Sequence, residues 1–339
     1  MAALRRLYFL VRQKNFFEGP KRSSGKVMFQ RVFALLLAVV LLPAADHAAA
    51  AVRVVATTTV VADLVRQVGG DRVVVESLMA DGVDPHSYRA TPRDADRLLR
   101  ADLIVANGLH LEGKLAQLLD RLARRRPVVA VAEAVPEAKL LPIGNGLFDP
   151  HVWFDAALWS HCPAALAEAL AKLDAAGAAE YRQRADAYAE RLRQLDEQVR
   201  ARLAGIPPSR RVLITAHDAF RYFGRAYGLE VVGVQGTSTE SEAGLADMNR
   251  LVELVVSRRI PAVFVETSVA DRNVTAVREG AAARGQPLTL GGRLYSDALG
   301  PPGSDGDTLE RALRANVDTI VNALAGESAT VTVAGEETR

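Results

Sequence analysis

Three of the six histidines in this 339-residue chain follow apolar runs, in segments that look like loops. His86 lies in the segment DPHSY, His151 in DPHVW and His217 in TAHD. Asp297, in the segment LYSDALG, also follows a predicted strand. Imidazole nitrogens and carboxylate oxygens are ligands that Zn²⁺ and Mn²⁺ both accept in proteins. These four side chains could therefore hold one divalent metal ion.

The spacing of these residues is weak evidence when taken alone, because no short motif such as Cys-x-x-Cys links them. Each histidine by itself is more often an ordinary loop histidine or a satisfied buried one. The other three, His47, His110 and His161, are predicted to be structural or exposed. Four nearby aspartates could accept the second ring N–H of an imidazole or cap a helix. They are Asp84, Asp149, Asp155 and Asp218.

Short apolar runs alternate with helical patterns after residue 51, which is typical of an α/β fold with mainly parallel sheets. The strand-like runs are residues 52–56, 73–78, 103–106, 128–131, 212–215, 230–234, 262–266 and 287–290. In the second half, helices are predicted at residues 218–226, 240–258, 271–284 and 307–324. Ligands bind beyond the carboxyl ends of strands in open sheets of this kind, and His217 is predicted to lie there.

One amphipathic helix separates the two series of strands, because apolar residues recur every three or four positions and polar residues fill the other face. The stripe consists of Tyr181, Ala185, Tyr188, Leu192, Leu195, Val199 and Leu203. About 25 residues at 1.5 Å each give a rod about 37 Å long, comparable with a domain diameter. We predict two α/β lobes at 52–177 and 207–326, a linking helix at 178–206 and a flexible tail at 327–339. A helix packed wholly inside one lobe is the alternative.

Two segments have the sequence of a capping box at a helix N-terminus. Thr91 is predicted to cap a helix that begins at Pro92, with Asp94 completing the box. Thr239 and Glu242 are predicted to open the helix at 240–258 in the same way.

The N-terminal segment has the pattern of a secretory signal peptide. Lys26 and Arg31 precede an apolar run at 32–42, and a small-residue stretch follows at 48–51. The run is shorter than the roughly 20 residues that span a bilayer, which favours a cleaved signal over a permanent anchor. We therefore expect export and removal of residues 1–51.

Met28 stands directly before this signal, so residues 1–27 are interpreted as an upstream extension. The single cysteine, Cys162, lies far beyond the signal, and we expect a soluble periplasmic protein without a lipid-anchoring cysteine. Residues 1–51 also hold eight of the Lys and Arg residues against two acidic residues, so the mature chain is mildly acidic. A chain without a basic cluster gives no electrostatic reason to expect nucleic acid or an anionic membrane as a partner.

Four segments resemble the zinc/manganese class of solute-binding proteins of ABC-type importers, and they run in order through nearly the whole mature chain. They are residues 84–112 (DPHSYRATPRDADRLLRADLIVANGLHLE), 149–155 (DPHVWFD), 214–236 (ITAHDAFRYFGRAYGLEVVGVQG) and 291–300 (GGRLYSDALG). The resemblance implies one metal ion between two α/β lobes joined by a long helix, with ligands at His86, His151, His217 and Asp297. It also implies a monomer that hands the ion to an ABC importer permease in the inner membrane.

The resemblance leaves Zn²⁺ and Mn²⁺ both open as the transported ion, with Fe²⁺ behind them. Manganese binders of this class often have glutamate as the third ligand, whereas this chain has His217. Zinc-specialised members often carry a histidine-rich loop between the first two ligands, whereas residues 87–150 contain only His110. His217 as the third ligand favours zinc, whereas the absence of a histidine-rich loop favours manganese.

Two other functions use the same residues. A zinc-dependent hydrolase would combine three histidines with a metal-bound water. However, the chain has no His-Glu-x-x-His sequence, and four protein ligands leave no open position for a substrate.

A metal-stabilised adhesin is the other alternative. A related importer subunit for haem, cobalamin or a siderophore could share the fold, but its cleft would lack histidine ligands. We therefore expect a binding protein and not an enzyme.

Overall fold

The computed structural model describes residues 51–325; the predicted signal peptide, the upstream extension and the tail from residue 327 lie outside them. The first four strands are β1 (Val52–Ala56), β2 (Val73–Ser77), β3 (Leu103–Ala106) and β4 (Val128–Ala130). They form one parallel sheet in the order β2-β1-β3-β4. All of β3 is buried, as expected when helices cover both faces of a parallel sheet.

Helices and one small hairpin complete this N-terminal half. They are α1 (Thr59–Gly69), α2 (Pro92–Arg100), α3 (Ala116–Ala123), the antiparallel strands β5 (Pro142–Gly144) and β6 (Leu147–Phe148), α4 (Ala156–Trp159) and α5 (Cys162–Leu173). The capping box predicted for α2 is confirmed. The Thr91 side chain accepts the backbone N–H of Asp94, and the Asp94 carboxylate accepts the backbone N–H of Thr91.

A helix of 26 residues, α6 (Ala178–Leu203), follows the N-terminal half. All seven residues of the predicted apolar stripe are buried. Helices α1, α4 and α5 from the N-terminal half pack against α6, and so does a helix near the C-terminus of the described chain, α10 (Leu309–Leu324). Since burial of one large apolar side chain contributes about 1.5–3 kcal/mol, the stripe is a major source of stability.

The C-terminal half has two parallel strand pairs. In the first, β7 (Val212–His217) pairs with β8 (Glu230–Gln235). In the second, β9 (Ala262–Glu266) pairs with β10 (Thr289–Leu294), and β9 lies next to β7. The helices that accompany α10 are α7 (Arg221–Tyr227), α8 (Leu245–Arg258) and α9 (Arg272–Ala283).

Two sequence predictions for this half are wrong. Helix α8 begins at Leu245 and not at 240, and its N-cap, Gly244, makes no side-chain capping hydrogen bond. The capping box predicted at Thr239 and Glu242 therefore does not form. The strand predicted at 287–290 lies at Thr289–Leu294 in the structure, so β10 ends four residues later than predicted.

Consecutive glycines explain the shifted strand. The register of β10 against β9 shifts between Leu290 and Gly292. Gly292 has a φ of 136°, and a Cβ atom there would lie 2.5 Å from Cγ2 of Thr319 in α10. Only glycine fits both this backbone and the close approach of the helix. The two glycines therefore lie at a bulge inside the strand, which continues past the end predicted for it.

The fold is α/β with mainly parallel sheets in two lobes joined by one long helix, as the sequence predicts. One apolar core runs through both halves, because side chains such as Leu64, Leu192 and Ile320 belong to the same cluster. The described residues form one compact unit, so the exact lobe boundaries at 177/178 and 206/207 stay predictions. None of the helices within residues 51–325 is both long and apolar enough to cross a bilayer.

Candidate metal centre

The four candidate ligands come from four separate segments. His86 lies in a turn between β2 and α2, and His151 directly precedes a short 3-10 helix at Val152–Phe154. His217 is the last residue of β7, and Asp297 follows β10 by three residues. The structure brings these residues together, and one ligand atom from each lies within 4.8 Å of all the others. All four side chains are buried.

The distances between these atoms fit a single ion at their centre. Nε2 of His86 lies 3.2 Å from Nε2 of His151. The Asp297 carboxylate oxygens lie 3.6 Å from Nε2 of His86, 3.4 Å from Nε2 of His151 and 3.3 Å from Nε2 of His217. Ligands at 2.0–2.1 Å from a tetrahedral zinc ion are separated by about 3.3 Å. These separations are close to that value, so the cluster could hold one metal ion among the four side chains.

Several of these polar atoms have no other partner within residues 51–325. Both carboxylate oxygens of Asp297 and Nε2 of His217 are buried and make no hydrogen bond. A buried charge without a partner is costly, and buried polar atoms in folded proteins are normally paired. A cation among the four side chains would satisfy all three atoms, which fits a metal centre better than a polar core.

His151 is oriented by the aspartate two residues before it. Its ring Nδ1 lies 2.7 Å from Oδ1 of Asp149, and its backbone N–H donates to the same oxygen at 3.0 Å. A carboxylate can only accept, so Nδ1 of the neutral ring carries the hydrogen. The lone pair of Nε2 therefore faces the centre, as in other carboxylate–histidine pairs at metal sites.

His217 is oriented in the same way by a residue that sequence reasoning missed. Nδ1 of His217 lies 2.5 Å from Oε2 of Glu266, and the backbone N–H of His217 donates to Oε1 at 2.9 Å. Glu266 is the last residue of β9 and is fully buried. An acidic residue at the end of the otherwise apolar run AVFVE was a signal that could have identified it.

His86 differs from the other two histidines, because no carboxylate of residues 51–325 accepts a hydrogen bond from its ring. Its backbone N–H donates to Oδ1 of Asp84 at 2.9 Å. Burial lowers the pKa of the His86 imidazole to about 4, against a smaller opposing effect of Asp297. The ring is therefore neutral at neutral pH and can donate a lone pair to a metal ion.

The charges of His217 and Asp297 depend on each other. Burial alone would lower the pKa of His217, but Glu266 and Asp297 outweigh it and raise that pKa well above the ordinary value. Burial alone would raise the pKa of Asp297, but the histidines, His217 foremost, lower it below the ordinary value. Asp297 is therefore an anion at neutral pH and can offset part of a divalent charge.

Of the four aspartates singled out in the sequence, Asp149 alone accepts a ring N–H from a described residue. Asp84 binds the backbone of its own turn, and Asp155 caps α4 by accepting the backbone N–H of Leu158. Asp218 lies 3.7 Å from the Arg221 guanidinium.

A hydrogen bond links two of the ligand segments across the halves. Nε1 of Trp153 donates to the backbone oxygen of Ser296 at 3.2 Å, next to His151 on one side and Asp297 on the other. His110 is exposed and His161 is half-buried, and neither belongs to the cluster.

Residues 54–323 match the family model of ZnuA, the periplasmic component A of the zinc-uptake complex. The chain belongs to the ZnuA family. This confirms the resemblance seen in the four sequence segments. The match includes all four candidate ligands and both carboxylates that orient them.

Two relatives that are named for the metal they bind are similar to this chain over most of their length. The manganese-binding lipoprotein MntA of Bacillus subtilis (strain 168) is 45% identical over 273 residues, 80% of this chain and 89% of MntA. The zinc-binding protein TroA of Treponema pallidum (strain Nichols) is 46% identical over 272 residues, 80% of this chain and 88% of TroA. MntA is named a lipoprotein, which does not agree with our expectation of a protein without a lipid anchor.

The solved structure of the periplasmic zinc-binding protein TroA from Treponema pallidum has the same fold. Its TM-score against this chain is 0.79 at 45% identity, and the alignment covers 81% of this chain and 99% of TroA. The likeness extends through both halves and the long helix between them.

Proposed function

We propose that this protein is a periplasmic binding protein that captures one Zn²⁺ or Mn²⁺ ion and passes it to the permease of an ABC importer. The proposed ligands are His86, His151, His217 and Asp297. The observation that carries the proposal is the convergence of four buried ligand atoms from four segments. Membership of the ZnuA family and the metal-binding names of MntA and TroA support it.

The donor set suits either of the two ions. Three imidazoles and one carboxylate oxygen make the tetrahedral shell that zinc prefers. Oδ1 of Asp297 lies towards His151 and Oδ2 towards His86 and His217, so the carboxylate can also bind through both oxygens. Five donors with two oxygens suit manganese, and the names of MntA and TroA support both ions equally.

Carriage fits this site better than hydrolysis. A catalytic zinc keeps one coordination position open for water or substrate, whereas this cluster offers four protein ligands within one closed group. Every candidate ligand is less than 5% exposed. A buried, closed shell holds an ion but gives a substrate no access to it, so we infer a transport protein.

Elemental analysis of purified protein tests the metal site. We expect one ion per chain in the wild-type protein and affinity reduced about 100-fold or more in His151→Ala and Asp297→Ala, which each lose a ligand. His110→Ala and His161→Ala are matched controls and should bind like the wild type. Two ions per chain, or wild-type affinity in both ligand variants, would refute the assignment. Competition between zinc and manganese in the same protein identifies the preferred ion.

Growth of a bacterial strain that lacks its own metal-binding importer subunit tests delivery. The proposed export signal places the monomer in the periplasm, where the permease meets it. We expect the wild-type protein to restore growth at limiting zinc or manganese and Asp297→Ala to fail at equal expression. Restored growth with Asp297→Ala would contradict a role of this site in delivery.

A further inference from the structure

The turn that carries His86 is held by a residue from the other half of the protein. The hydroxyl of Thr239 donates to Oδ2 of Asp84 at 2.6 Å, although 155 residues separate them. The other oxygen of the same carboxylate accepts the backbone N–H of His86. Thr239 therefore contacts a candidate ligand through one intervening side chain.

A comparison of the three histidines shows why this contact matters. The backbone N–H of each donates to a carboxylate, from Asp84, Asp149 or Glu266. For His151 and His217 the same carboxylate also binds the ring. The His86 ring has no such bond within residues 51–325, so its position depends on the backbone of its turn.

The segment around Thr239 borders the metal centre on the side of His86. A cavity of about 270 Å³ is lined by His86 and His110 from the N-terminal half and by Thr237, Ser238 and Glu240 from the C-terminal half. Glu240 also forms an ion pair of 3.0 Å with Lys114. The loop 236–244 thus lines the same cavity as the candidate ligand His86.

A second set of contacts between the halves is more deeply buried. Backbone N–H groups of Leu299 and Leu309 donate to Thr59 and Asp63 of α1 at 2.8 and 3.0 Å, and both bonds are buried. In loop 236–244, by contrast, Thr239 is half-buried and Glu240 is exposed, so the contacts that these two residues make are less buried. Since exposed contacts open more easily than buried ones, the ion would leave past His86.

We propose that Thr239 is a positioning residue for His86: its hydroxyl fixes Asp84, and Asp84 fixes the turn that presents His86 to the metal ion. The inference rests on the proposed function, because it concerns retention of the bound ion. When loop 236–244 lifts, Asp84 keeps only the contacts within its own turn, from the backbone N–H of His86 and the hydroxyl of Ser87. The His86 turn is then less restrained, and His86 is the first of the four ligands to be released.

The release rate of bound Zn²⁺ into excess EDTA tests the proposal. Thr239→Val keeps the shape of the side chain and removes the hydroxyl. We expect release about tenfold faster, as for loss of one hydrogen bond to a charged acceptor. Thr239→Ser retains the hydroxyl and should release zinc at the wild-type rate. Thr289→Val, on the exposed face of β10, is the matched control and should not change the rate.

A double-mutant cycle with Asp84→Ala shows whether Asp84 transmits the effect. In the Asp84→Ala background, Thr239→Val should accelerate release less than twofold. The inference would be overturned if Thr239→Val released zinc at the wild-type rate. It would also be overturned if Thr239→Val accelerated release as much in the Asp84→Ala background as in the wild type. Elemental analysis of each variant still gives one ion per chain if the proposed function holds, so failure of the metal site itself is distinguishable from failure of this inference.

Discussion

Glu266 binds His217 twice, through the ring Nδ1 at 2.5 Å and through the backbone N–H at 2.9 Å. The two residues end β9 and β7, which lie next to each other, so the packing of these two strands sets their separation. A metal ligand held at both its ring and its backbone has little freedom to turn away. The orientation of His217 is thus set by the packing of β7 beside β9 in the C-terminal half.

Glu266→Gln should reduce metal affinity by about 10- to 100-fold, the usual effect of losing a residue that orients a ligand. The amide oxygen accepts less strongly than a carboxylate, and its NH₂ group competes for the position of the ring N–H. Competition with a chromogenic chelator measures the change. Glu279→Gln, on the exposed face of α9, is the matched control, and equal affinities in the two variants would contradict the role of Glu266.

Asp174→Asn should destabilise the protein at neutral pH but not in strong acid. Hydrogen bonds from Arg72 lower the pKa of Asp174 to about 2, and the Tyr181 hydroxyl also donates to this carboxylate. A folded-state pKa below the unfolded value of about 3.9 stabilises the fold above pH 4, and this stabilisation is lost as the pH falls to 2. We expect a difference of about 1 kcal/mol, reduced by solvent screening.

Urea denaturation of both proteins between pH 6 and pH 2.5 measures that difference. The gap in free energy of unfolding between wild type and Asp174→Asn should shrink as the pH falls. Asp186→Asn, on the exposed face of α6, should show no gap at any pH. A gap for Asp174→Asn that stays constant with pH would contradict the effect of Arg72.

Tyr188→Phe should leave stability unchanged or raise the free energy of unfolding by up to about 1 kcal/mol. The Tyr188 hydroxyl is buried and has no hydrogen-bond partner within residues 51–325, so removing it relieves a desolvation cost. Tyr181→Phe, on the same helix, removes a hydroxyl that donates to Asp174 and should cost about 1 kcal/mol. Thermal denaturation of the two variants gives the comparison, and a greater loss in Tyr188→Phe would refute it.

Metal binding should change the overall dimensions of the protein very little. Helix α6 packs against helices of both halves, and the buried bonds from Leu299 and Leu309 to α1 join the halves directly. Such a structure permits small tilts and loop movements but not wide hinge closure. X-ray scattering should give radii of gyration within about 1 Å of each other with and without zinc. A larger contraction would show that the halves separate.

Most of the architecture could be predicted from periodicity, because strands and helices in this chain have strongly apolar interiors. The stripe from Tyr181 to Leu203 predicted helix α6 and all its buried positions except Asp196. Strand β10 was misplaced because glycine pairs normally mark turns, whereas Gly292 here makes room for Thr319. The close packing of another helix against a strand cannot be predicted from the local sequence of that strand.

The candidate site could be predicted only in part for the same reason. His86, His151, His217 and Asp297 are rare or conspicuous residues after strands, and a family resemblance supported them. Glu266 is an ordinary glutamate until β9 is known to lie beside β7. Thr239 has the local sequence of a helix cap, but its hydroxyl binds Asp84, and that partner is visible only in the folded chain.

The origin of the four donors in four distant segments has a consequence for how the protein acquires its metal. From His86 to Asp297 the donors span more than two hundred residues, and no two adjacent segments supply a complete shell. A chain that is still unfolded therefore has no high-affinity site, since such a shell exists only after both halves have docked. The compartment in which folding finishes thus decides which metal pool the protein samples. A chain translocated before folding cannot take ions with it from the place of its synthesis.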